Sequence, residues 1–162
     1  MLALSYWLHL LATILWIGGL ASGVLVLRAV LGAGAEGERL SDLFYRRFIP
    51  IANLSLAVLA VTGMVQLVGE KAPNYQGTLN LASLWAKILF AKHLVIGTMV
   101  LITLYMQGGV DPAMRRAALL ASAGKGDPGR LAALRRRRMQ ALAASLALGV
   151  VVLLLTAVAT AL

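Results

Sequence analysis

Two imidazoles are the side chains of this sequence best suited to chemistry. His9 and His93 are its only histidines, and each lies in a stretch long and apolar enough to cross a membrane. An imidazole in hydrocarbon is costly unless something binds it, so an intramembrane ionisable residue is a candidate functional residue by default. Imidazole is a common ligand of haem iron and of copper. The alternative for each ring is a hydrogen bond to a nearby Ser, Thr or carbonyl, with no cofactor.

The elements that must position these rings follow from hydropathy. The chain has 162 residues, of which 60% are hydrophobic and 13% charged, and a mean hydropathy of +0.86. That is too apolar for a soluble domain of this size. Four apolar segments stand out, at about residues 2–30, 48–68, 84–106 and 139–162. Each approaches or exceeds the roughly 20 residues a helix needs to span a bilayer core. In lipid the backbone must bond to itself, so such segments are helices. The expected fold is an all-α integral membrane four-helix bundle in a single transmembrane domain. The first segment has no Lys or Arg before Arg28 and is longer than a signal-peptide apolar region, so it is expected to be a mature helix. The chain has no cysteine, which excludes disulfides and thiolate metal sites within it.

The net charge of +9 raises the possibility of nucleic-acid binding, but the charges are distributed otherwise. Arg28, Arg39, Arg46 and Arg47 lie in or beside the first connection, and Arg115, Arg116, Lys125, Arg130 and Arg135 to Arg138 lie in the third. With four helices these connections share one side. The opposite side carries Lys71, with Lys87 a short way into the third segment. The positive-inside rule makes the basic side cytoplasmic and puts both termini on the non-cytoplasmic side, in a prokaryotic inner or plasma membrane. The run Arg135 to Arg138 then anchors topology at anionic headgroups. No base-reading module or aromatic interleaving accompanies it, so no nucleic-acid partner is expected.

Depth relates the two histidines. The first and third segments both enter from the outside, near Ala3 and Leu84. His9 then lies ~9 Å deep and His93 ~13–14 Å deep, at ~1.5 Å of rise per residue. Two imidazoles at similar depth on parallel helices suit the axial positions of one haem iron. Lys87, nearer the surface, is a natural counter-ion for a haem propionate, whereas Lys92 is expected to snorkel. Gly19 and Gly23 form a GxxxG spacing, which serves close helix packing or makes room for a flat porphyrin. Gly97 lies one turn below His93 on the same face. Met64 offers a rival: thioether and imidazole together suit Cu(I). The acidic residues Glu36, Glu38, Asp42, Glu70, Asp111 and Asp127 all fall in connections. Residues 70–83 are rich in turn formers. In the long connection 107–138, Asp111–Pro112 can cap a helix, and Gly124, Gly126, Pro128 and Gly129 interrupt it, so a cytoplasmic helical hairpin over 112–138 is expected.

These residues also carry a family resemblance. The first segment reads Trp7-Leu8-His9, then Trp16-Ile17-Gly18-Gly19-Leu20, then Arg28. Tyr45-Arg46-Arg47 precedes the second, which has Pro50 at its start and Gly63 within it. The third opens Leu84-Trp85-Ala86-Lys87 and carries His93. This order, over roughly residues 5–100, resembles the small four-helix membrane proteins of the CopD-like group and the related HemJ-type protoporphyrinogen oxidases. The HemJ resemblance implies a b-type haem and dependence on His9 and Lys87, and any enzymatic activity would be that of an oxidoreductase. The CopD-like resemblance implies copper movement. The fourth segment reads Met139-Gln140-Ala141-Leu142, where the HemJ type has an Asn-Glu-Val-Pro-like motif, so the carboxylate and the proline are missing.

The expectation is a membrane haem b protein in electron transfer. His9 and His93 are the iron ligands, and Lys87, Trp16, Gly19 and Gly97 complete the cofactor site. A quinone or membrane redox partner is implied, with homo-oligomerisation or membership of a larger complex also possible. Copper handling through His9, His93 and Met64 is one alternative, and a cofactor-free subunit of a membrane complex is the other.

Overall fold

The computed structural model describes residues 2–29, 34–69 and 83–161. Among these residues the chain is helical, without strands. It forms α1 (Leu2–Ala29), α2 (Gly34–Gly69), α3 (Leu84–Tyr105), a π-helical turn (Met106–Val110), α4 (Asp111–Ser122) and α5 (Pro128–Ala161). Four of its helical stretches are long and apolar enough to cross a membrane: Leu2–Val26, Arg39–Gln66, Leu84–Ser122 and Pro128–Ala161. The protein is an integral membrane protein. The turn-rich connection 70–83 lies outside the described residues apart from Ser83, as do residues 31–33 of the first connection and the side chain of Arg28.

The apolar segments mark the part of each helix that suits hydrocarbon, and the helices themselves run further. α2 begins at Gly34 rather than near residue 48, so Pro50 lies inside it and not at its start. Proline there removes one backbone donor, a loss that membrane helices tolerate. α5 begins at Pro128 rather than near residue 139 and carries Arg135 to Arg138 in regular helix. The stretch 84–122 is continuous, because the π turn joins α3 to α4 without a break. Asp111 therefore lies within a continuous helical stretch, with Val110 and not Asp111 at the N-cap position of α4. The hairpin expected over 112–138 is present as the extension of α3 and α5.

The chain divides into two compact units, residues 1–86 and 87–162. In the first, α1 packs on α2. Ser5 and His9 meet Thr62, and Gly19 meets Phe48, so the two helices are antiparallel. The buried positions of α2 include Ser41, Tyr45, Phe48, Ala52, Ser55 and Thr62, a stripe at alternating four- and three-residue steps up to Ser55 and then one of seven, which defines a packing seam. Those of α1 include Ser5, Ala12, Trp16, Leu20 and Val24.

In the second unit, the π turn and α4 pack against α5. Val110, Met114 and Ala117 form a core with Leu134, flanked by Ala113 and Leu131. The α5 seam continues through Arg138, Leu142, Ser145 and Gly149. The bend between α4 and α5 is closed by backbone hydrogen bonds. Gly124 N–H donates to Ala121 O and Lys125 N–H to Leu120 O, with Gly124 at φ +69°. This left-handed closure satisfies the last carbonyls of α4. Asp127 then caps α5 by accepting the Gly129 N–H at 2.8 Å, with Pro128 at a first-turn position where no N–H is needed.

Candidate functional site

His9 sits in the α1–α2 seam, half-buried, with Nδ1 2.8 Å from Thr62 Oγ1. Thr62 is buried, and its hydroxyl donates to Val58 O at 2.6 Å. Ser5 donates its hydroxyl to Thr62 O at 3.3 Å, and Thr13 donates to His9 O at 2.8 Å. The result is an intramembrane cluster of one imidazole and three hydroxyls. Gly63 lies beside the ring, whose Cε1 would be in ordinary contact, at 3.9 Å, with a Cβ built there.

His93 belongs to the second unit and is exposed on α3. Its Nδ1 lies 2.7 Å from Leu89 O, one turn back. A carbonyl only accepts, so Nδ1–H donates and the neutral ring keeps its electron pair on Nε2. Gly97 shares this face, and a Cβ built on it meets nothing within 4 Å. The imidazole is thus followed by a small open notch in an otherwise apolar span.

The other expected site residues separate into seam and surface. Trp16 is buried, 6% exposed, on the same stripe as Ala12 and Leu20. Phe48 fills the space beside Gly19, a close contact between α1 and α2. Met64 is 73% exposed. Two residues beyond Thr62, it points away from the side of α2 that meets His9, and the α1–α2 hairpin does not bring thioether and imidazole together. Lys87 is exposed near the start of α3 and Lys92 is half-buried further along. Ser83 accepts the Ala86 N–H at 3.2 Å and so caps the start of α3.

Two features went unrecognised in the sequence. The hydroxyl cluster was one, although Ser5 and Thr13 stand four residues to either side of His9 on one helix face, which is the signal that marks it. The other is the burial of two charged residues, one at the start of α4 and one on α5. Asp111, assigned to a connection, is 8% exposed, and Arg138 of the basic run is 5% exposed. Gln107, Asp111, Arg135 and Arg138 each take part in a polar or electrostatic interaction. Among the described residues no group of three or more His, Asp or Glu side chains is placed to hold a metal ion. The chain matches no family model, no curated protein and no solved structure.

Proposed function

We propose that the protein is a membrane-embedded haem protein that binds b-type haem through His9 and His93 and carries electrons to or from a membrane partner such as a quinone. The observation that supports this most is the state of His93. It is an exposed imidazole in an apolar span, its Nδ1–H held by Leu89 O and its Nε2 electron pair turned from the helix. A ring so held has the donor atom that iron takes, and the notch at Gly97 suits a planar ligand. His9 Nδ1 likewise has a partner, Thr62 Oγ1 at 2.8 Å. Lys87 supplies the cation for a propionate. Bound haem would supply a one-electron redox centre. The resemblance to HemJ-type and CopD-like proteins is part of this proposal, as are the cytoplasmic placement of the basic hairpin and a prokaryotic inner-membrane location.

A second reading is a cofactor-free subunit of a membrane complex. The Nδ1 bonds favour it, because Thr62 and Leu89 O already give each ring one partner. Copper handling is less favoured, because Met64 lies off the His9 side. Iron, copper and haem content of protein purified in detergent from haem-sufficient cells separate the three. Stoichiometric haem supports the proposal, copper without haem supports the metal alternative, and neither supports the subunit.

A further inference from the structure

We infer that Thr62 is a positioning residue for His9: it fixes the neutral imidazole with its proton on Nδ1, so that Nε2 is the electron-pair donor. The geometry belongs to the α1–α2 hairpin alone. Its consequence for a cofactor rests on the haem reading above.

A threonine hydroxyl has one hydrogen to give. At Thr62 it points to Val58 O, 2.6 Å away, with Leu59 O at 3.4 Å as a weaker second acceptor. Towards His9 the oxygen offers only its electron pairs. Nδ1, at 2.8 Å, must therefore be the donor, and a neutral imidazole that donates from Nδ1 has no proton on Nε2. The acceptor itself is held in place. Thr62 is buried, and Ser5 of α1 donates to its backbone carbonyl.

The two histidines reach the same state by different means. His93 gives its proton to a carbonyl of its own helix, which any α-helix provides. His9 gives its proton to a side chain on the neighbouring helix, so its donor atom depends on α1–α2 docking and on one hydroxyl. A hydrogen bond from the distal ring nitrogen also raises the basicity of the ligating one. Thr62 therefore tunes whatever His9 binds, and in a haem it favours the ferric state.

The test uses the full chain in detergent with 15N-labelled histidine. Two histidines give two sets of ring signals, assigned with His9→Gln, and long-range proton–nitrogen spectra read which nitrogen carries the proton. In wild-type apoprotein both rings are expected to be protonated at Nδ1. In Thr62→Val the His9 signals should shift towards the Nε2–H form while those of His93 stay, and Thr62→Ser should restore the wild-type pattern. In the haem-loaded protein Thr62→Val should raise the midpoint potential and Thr62→Ser should not. A wild-type His9 protonated at Nε2, a Thr62→Val protein with the wild-type tautomer, or an unmoved potential despite a changed tautomer overturns the inference. A tautomer that changes as described in a protein that binds no haem keeps the role of Thr62 and removes the haem reading instead.

Discussion

The ring of Phe48 occupies the space beside Gly19 into which a Cβ would project. This one contact fixes how closely α1 and α2 approach at that level. It also explains why glycine stands there: the first carbon of any other side chain overlaps the aromatic ring. Gly19→Ala should destabilise the hairpin by about 1–3 kcal/mol, the usual range for overpacking a filled seam. Combining it with Phe48→Leu should recover part of the loss. Unfolding in mixed detergent micelles measures both.

The bend at Gly124 carries a similar constraint from backbone conformation. At φ +69° any residue with a Cβ is strained, so Gly124→Ala should lower stability by about 1 kcal/mol. Gly126 lies against the backbone of Ala121, and Gly126→Ala should cost more. Ala123→Gly, at a position with negative φ, should not show this strain. Thermal unfolding of the three variants orders them.

The buried arginine can be separated from its exposed neighbours. Arg138 lies in the α5 seam, whereas Arg136 and Arg137 are exposed. Arg138→Ala should destabilise the α4–α5 hairpin by about 1–3 kcal/mol, because it removes a buried side chain from a packed seam. Arg137→Ala should change stability by less than about 0.5 kcal/mol. Equal effects at the two positions would show that burial of Arg138 contributes nothing.

The sequence made the number and type of helices legible, because runs of more than twenty apolar residues leave the backbone no other way to satisfy itself. It did not show where the helices end. Hydropathy drops at Phe48 and Met139, but helix continues through Arg46, Arg47 and Arg135 to Arg138, since charged residues are good helix formers once outside hydrocarbon. Of the candidate site, the histidines were legible by type and their partners were not. Thr62 and Leu89 O become partners only through packing and helix geometry. Met64 and Gly19 were grouped with the site by depth and spacing, whereas the face each one occupies, Met64 exposed and Gly19 against Phe48, is set by packing.

The topology proposed from the charge asymmetry is testable in intact cells, because the sequence has no cysteine. Lys125 is exposed at the α4–α5 bend and tolerates replacement better than the neighbouring glycines. Lys125→Cys should resist a membrane-impermeant thiol reagent until the cells are opened. A cysteine added before Met1 should react at once. Reversal of the two patterns would invert the proposed orientation.

The central claim is that His9 and His93 ligate haem iron. The reduced-minus-oxidised visible spectrum of protein purified from haem-sufficient cells, compared with His9→Ala and His93→Ala, tests it most directly. The account predicts the sharp α band of a low-spin b-type haem in the wild type, abolished or converted to a high-spin spectrum by either substitution. A wild-type spectrum with no Soret or α band, or a low-spin band that survives in both variants, would contradict it.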